Sequence, residues 1–194
     1  MVDDRKSAFN WQDPGIDWEK FSSGHLVHVY DNEGFFIQTV AVFLSMALRR
    51  KEAAVLIGTE EHRASLEQWL AADGLDLGEL ERSGQFVCLD ARETLKKFMV
   101  DGAPDKALFF KVIGSVIARA EGGWAKVRAF GEMVAVLWAE GNHEGAIALE
   151  ELWNQLGKIY SFTLLCAYPK MVFNSPGEAH AFSRACLAHS TIIL

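Results

Sequence analysis

The chain has 194 residues, 50% hydrophobic and 23% charged, a composition that supports one sizeable core and excludes a disordered chain. A net charge of −7 and a pI near 5.4 exclude a general nucleic-acid surface, which needs clustered Lys and Arg. No apolar run approaches the ~18 residues of a membrane span, and the opening MVDDRKSAFNWQDPG lacks the apolar stretch of a signal peptide, so a cytoplasmic location with no membrane partner is expected.

Residues 1–23 read as a polar and aromatic lead-in, with Trp11 and Trp18 on either side of Asp-Pro-Gly. It either docks on the body of the protein or packs on a partner subunit. From residue 24 to 194 the chain reads as one α/β unit. His25–Tyr30 is a first strand, Asp31–Gly34 an acidic turn, and Phe35–Arg50 a helix apolar nearly all round, hence deeply buried. Ala53–Gly58 is a continuous apolar run, as in a strand covered on both faces. Thr59 caps a helix that runs through Ala72 and stops at Asp73-Gly74. Leu75–Gly84 is a loop or short turn, and Phe86–Leu89 a third strand. Glu93–Val100 is a short helix broken by Asp101-Gly-Ala-Pro104. Asp105–Ala120 is a further helix, stopped by Glu121-Gly-Gly123, and Lys126–Phe130 a fourth strand. Gly131–Tyr160 is helical with a break at Gly141-Asn142 or Gly145. Phe162–Ala167 is a fifth strand ended by Pro169, which cannot donate to a ladder. Pro176–Ala188 is a last helix, and Thr191–Leu194 begins a sixth strand. Strands alternating with helices predict a single three-layer α/β domain with a mostly parallel sheet.

In such a sheet the turn after the first strand commonly binds the ligand. A nucleotide-binding turn would be glycine-rich and end in Lys-Ser/Thr. Here Asp31–Gly34 has one glycine, no lysine and two acids, so a functional phosphate loop is absent. A pocket for some other small molecule is expected at the strand carboxyl ends. Tyr30, Asp31, Asn32, Glu33, Thr59, Glu60, His62, Asp90, Arg92, Arg128, Glu132, Cys166 and Tyr168 all fall near them. Glu150 and Asn154 are four apart and share a helix face. Arg128, inside a strand, requires a partner, for which Glu132 and Glu150 are the expected choices. His25 and His28 are three apart on one strand and point to opposite faces, so they cannot share a metal.

Cys88, Cys166 and Cys186 are widely spaced, with no CxxC pattern, and are expected to be reduced. No HExxH spacing and no GxSxG elbow occurs. No metal site, no cofactor and no catalytic group is therefore expected, and an enzyme is the less favoured reading.

Several short pieces occur in a definite order: His25-Leu-Val-His-Val-Tyr30-Asp31, Val127-Arg128-Ala-Phe-Gly131-Glu132-Met133, Glu150 with Asn154, Leu165-Cys166-Ala-Tyr168, Phe173, and the closing His189-Ser-Thr-Ile-Ile. In these the chain resembles the MEDS family, the sensory domain named for methanogens, methylotrophs and the dichloromethane-responsive regulator. The resemblance runs from Gly24 to Leu194 and implies a RecA/KaiC-like fold without a working phosphate loop. It implies a sensor of small hydrocarbon derivatives, often fused to a histidine kinase or DNA-binding module; no such output module fits within 194 residues, so the expectation is a signal carried by a partner of that kind or a detached sensor. Phe98 departs from the family, which often has tyrosine there.

The leading reading is thus a non-catalytic sensory domain that binds a small molecule through His25, Tyr30, Asp31, Arg128, Glu132, Glu150, Asn154, Cys166 and Tyr168. In that reading Arg128 holds a polar group, Tyr30 and Tyr168 form aromatic walls, and His25 and Cys166 tune the pocket. One alternative is a RecA/KaiC-type nucleotide-binding protein or ATPase with an atypical loop. Another is an interaction module with a vestigial pocket, in which Trp11 and Trp18 serve a partner or a homodimer.

Overall fold

The structure, a computed structural model, describes residues 15–21, 23–170, 183–184 and 186–193. Six parallel strands form the main sheet: β1 (Gly24–Tyr30), β2 (Ala53–Gly58), β3 (Phe86–Asp90), β6 (Val127–Gly131), β7 (Phe162–Pro169) and β8 (Thr191–Ile193). Their order across the sheet is β3-β2-β6-β7-β1-β8. A two-stranded antiparallel hairpin, β4 (Met99–Val100) with β5 (Ala103–Pro104), stands apart.

The helices divide between the two faces. α1 (Glu33–Arg49), α2 (Glu60–Ala72) and α3 (Leu77–Arg82) cover one. There Phe36, Val40, Phe43 and Leu44 of α1 and Leu66 and Leu70 of α2 pack on Leu26, Leu56, Phe130 and Leu165. α4 (Ala91–Leu95), α5 (Lys106–Phe109), α6 (Ser115–Gly123), α7 (Met133–Ala139) and α8 (His143–Leu156) cover the other. Phe98, Phe109, Ile113, Leu149 and Trp153 pack there on Val55, Ile57, Ala129 and Leu164. Burying each such side chain contributes about 1.5–3 kcal/mol. This is the three-layer α/β domain expected from alternating elements. Crossovers from β1 to β3 use one face and those from β3 back to β7 the other, so they share one hand.

Several boundaries differ from the sequence reading, each for a local reason. α1 begins at Glu33 rather than Phe35, because the Asn32 side chain accepts from the Phe35 amide at 2.8 Å and caps the helix early. Only Asp31 and Asn32 remain between β1 and α1. The expected loop at Leu75–Gly84 contains α3, capped by Asp76. The expected helix Glu93–Val100 is α4, which begins at Ala91, followed by strand β4. Asp101 and Gly102 both take positive φ, 49° and 80°, the geometry of a two-residue hairpin turn. The long helix after Asp105 is real but carries a π-helical segment at Phe110–Gly114 between α5 and α6. The break between α7 and α8 falls at Gly141-Asn142, and Asn142 caps α8 by accepting from Gly145 N at 2.9 Å.

Trp18 is 1% exposed and packs on Phe43 at a ring separation of 5.0 Å, so it belongs to the core rather than to a partner surface. Trp11, Phe173 and most of the expected last helix Pro176–Ala188 lie outside the described residues. Among the described residues, no helix is long and apolar enough to cross a membrane.

Candidate functional site

β1 and β7 run side by side with Val27 opposite Cys166. Alternation along a strand therefore turns His25 on β1 and Cys166 and Tyr168 on β7 toward the same face, under α8. Glu150 and Asn154, one turn apart on α8, reach down to them, as their spacing predicts. His25 Nε2 lies 3.3 Å from Cys166 Sγ and 3.1 Å from Glu150 Oε2. The Tyr168 hydroxyl donates to Glu150 Oε1 at 2.7 Å, and Cys166 Sγ approaches Glu150 Oε2 at 3.6 Å. His189, just before β8, completes the group: its Nε2 is 3.4 Å from Glu150 Oε1, and its ring lies 4.0 Å from that of His25.

The cluster sits deep, with Glu150 and Cys166 fully buried. Burial alone would raise the Glu150 carboxyl, but the His189 charge, the His25 contact and the Tyr168 hydroxyl hold it below the usual carboxylate range. Desolvation, and then the Glu150 charge, push both the Cys166 thiol and the Tyr168 phenol well up. Cys186 lies near enough that burial and the same carboxylate raise its thiol too. A fully buried carboxylate among imidazoles and a thiol serves packing poorly, because each polar group must be compensated. Such concentrations mark functional sites.

A pocket of about 440 Å³ opens beside the cluster, at the amino ends of β1 and β7. Its walls are Trp153, Ile159, Tyr160, Phe162 and Leu164, and its polar groups include His25 and Asn154. His25 and Asn154 thus belong to both the pocket and the buried cluster.

A larger cleft, of about 1180 Å³, lies over the carboxyl ends of β2, β3 and β6. The chain leaves β2 toward one face and β3 and β6 toward the other, which opens a crevice at the strand ends. Thr59, Glu60, His62, Asp90, Arg92 and Glu132, all expected near strand ends, line it. Glu132 accepts from the Thr59 amide at 2.8 Å and meets His62 Nδ1 at 2.6 Å, while His62 Nε2 pairs with Glu33. Burial opposes the charge on His62, but the hydrogen bond and charge of Glu132, joined by Glu33, raise its pKa to about 9. Tyr30 stacks on Phe36 at 4.2 Å, on the α1 face. Its phenol is pushed up by burial and by the charges of Glu33 and Glu132.

The expected residues therefore separate. His25, Glu150, Asn154, Cys166 and Tyr168 meet under α8; Glu132 lines the carboxyl-end cleft; Tyr30 stacks on Phe36 on the α1 face; Asp31 is exposed, 3.9 Å from Lys170. Arg128 pairs with Glu52 at 3.1 Å, not with Glu132 or Glu150, and lies over the Phe43 ring. A single pocket walled by Tyr30, Arg128 and Tyr168 does not form, because Tyr30 and Arg128 lie on the α1 face and Tyr168 on the other. The sequence reading placed His62 near the strand ends without giving it a role in the site, and it left His189 out. The signals for them were the closing His189-Ser-Thr segment and the position of His62 three residues after the Thr59 cap.

The family model described as the methanogen/methylotroph, DcmR sensory domain, MEDS, matches residues 24–184. No curated protein matches the chain.

Proposed function

Because the chain belongs to the MEDS family of sensory domains, we propose that it is a non-catalytic sensor that takes a small molecule into the pocket at the amino ends of β1 and β7. The observation that carries this reading is the double role of His25 and Asn154. They form part of the pocket wall and also contact the buried cluster, so a bound molecule would alter the cluster's hydrogen bonds. Aromatic and aliphatic walls with a few polar groups suit a small hydrocarbon derivative bearing one polar atom. The signal would pass to a partner protein such as a histidine kinase or a transcription regulator. The short Asp31–Asn32 link before α1, with no lysine and with Glu33 in the first helical turn, speaks against the nucleotide alternative.

A ligand that binds only the folded form raises stability, by about 2.7 kcal/mol at a hundred times its Kd. Thermal-shift measurements on the full chain with small alcohols, halogenated C1 compounds and ATP–Mg²⁺ test the reading. Stabilisation by a member of the first two groups is expected, with loss of the effect on Ile159→Trp, which fills the pocket from its exposed rim. Stabilisation by ATP alone, or a shift that survives Ile159→Trp, counts against it. In the second outcome the cleft beside His62 becomes the better site, and its charged His62–Glu132 pair is what favours it.

A further inference from the structure

The buried cluster has a geometry that hydrogen bonding alone does not require. One ligating atom from each of His25, Glu150, Cys166 and His189 lies within 4.8 Å of all the others. Three of its edges, His25 Nε2 to Glu150 Oε2, His25 Nε2 to Cys166 Sγ and Cys166 Sγ to Glu150 Oε2, are 3.1, 3.3 and 3.6 Å. Zinc bonds of about 2.0–2.1 Å to nitrogen and oxygen and 2.3 Å to sulfur give tetrahedral ligand–ligand edges of roughly 3.3–3.7 Å. These three atoms already stand close to the face of such a tetrahedron, and the His189 ring lies beside them.

Orientation of the ligands agrees. Asn154 Nδ2 donates to the Ala188 carbonyl at 2.8 Å, which turns Asn154 Oδ1 toward His25 Nδ1 at 3.0 Å. A carboxamide oxygen only accepts, so it holds the proton on Nδ1 and leaves the Nε2 lone pair facing Cys166 and Glu150. A second-shell partner that fixes the tautomer in this way is typical of metal-bound histidine. Glu150 Oε1 is similarly held by the Tyr168 hydroxyl. The segment carrying His189 is tied down from the other side: Ser190 N and Oγ both donate to the His25 carbonyl, at 2.7 and 2.9 Å.

We propose that His25, Glu150, Cys166 and His189 bind one divalent transition-metal ion, with zinc as the ion whose ligand preferences the set matches. Two nitrogens, one thiolate and one carboxylate oxygen form a borderline-soft donor set. As the sulfur–metal bond forms, the Cys166 thiol proton leaves to solvent. Thiolate and carboxylate then neutralise the dication, which removes the cost of an isolated buried charge. This site does not depend on the small-molecule pocket, although His25 would connect the two.

The test uses the full chain produced without a histidine tag, stripped with a chelator and titrated with Zn²⁺ and Co²⁺. One ion per chain is expected, with a thiolate-to-cobalt charge-transfer band and the intense visible bands of a tetrahedral site. Cys166→Ser should abolish the charge-transfer band, whereas Cys88→Ser, remote from the cluster, should keep it. His189→Ala should weaken binding by about 100-fold or more, and Asn154→Ala by about 10-fold through loss of ligand orientation. Circular dichroism of each variant checks that it has folded. Should Cys166→Ser fail to fold, the wild-type band must persist in Cys186→Ser, whose thiol lies near the same carboxylate, and its loss there overturns the proposal. The proposal is overturned by the absence of a charge-transfer band in wild type, by its loss in Cys88→Ser, or by unchanged affinity in folded His189→Ala. None of these readouts involves an organic ligand, so the pocket reading stands or falls separately.

Discussion

Arg128 and Glu52 form an ion pair at 3.1 Å with both side chains buried, at the end of the sheet opposite the carboxyl-end cleft. The pair fixes the start of β6 to the residue preceding β2, and the guanidinium also lies 5.4 Å from the Phe43 ring centre. Removing one member of a buried pair leaves the other uncompensated, at a cost of about 3–5 kcal/mol. Arg128→Ala is expected to lower the stability measured by urea unfolding by that amount. Replacing both members with apolar residues of similar size, Arg128→Met with Glu52→Leu, should recover most of it. A single variant with unchanged stability would show that Arg128 is free for another role.

His62 gives a pH dependence at the alkaline end. Its folded pKa of about 9 stands above the ordinary 6.5 because of Glu132 and Glu33, so its contribution is fully present below pH 6.5 and is lost as pH rises through 9. Allowing for its partial solvent access, the loss is roughly 2 kcal/mol. Glu132→Gln should bring the His62 titration, followed by NMR, back toward its ordinary range and flatten the stability profile above neutrality. A His62 signal that titrates near pH 6.5 in the wild type would contradict the pairing.

His28 acts at the acid end. It is 1% exposed, among the rings of Tyr30, Phe35 and Phe36, and its Nδ1 has no hydrogen-bond partner among the described residues. Desolvation lowers its pKa from 6.5 to about 4. The unfolded chain therefore takes up a proton that the folded chain refuses, and stability falls as pH drops from 6.5 toward 4. By pH 5 the loss is about 2 kcal/mol. His28→Leu should remove most of this slope; an identical acid profile in the variant would refute the assignment.

Gly145 reverses the usual preference for alanine inside helices. A Cβ there would stand 2.6–2.7 Å from the Asn142 carboxamide, which caps α8 and also donates to the Gly102 carbonyl at 2.7 Å. Alanine normally gains up to about 1 kcal/mol over glycine in a helix. Here Gly145→Ala should instead cost about 1 kcal/mol, through loss of the cap and of the tie to the hairpin. Thermal unfolding of the single variant decides the sign.

Alternation and periodicity along the chain determine much of its local structure. The apolar run Ala53–Gly58 reads as a strand covered on both faces, and the Thr59 side chain marks a helix start, whereas the choice between Gly141-Asn142 and Gly145 for the later break was settled by the fold. The missing lysine after β1 and the shared helix face of Glu150 and Asn154 were likewise local facts. Partner choice was not local. Arg128 finds Glu52 and not the nearer Glu132, because register between β2 and β6, rather than sequence distance, sets which side chains meet. His25, Glu150, Cys166 and His189 come from β1, α8, β7 and the approach to β8, so no spacing in one segment could announce them as neighbours. Only the pairing of β1 between β7 and β8, with α8 laid across them, brings those atoms within 4.8 Å of one another.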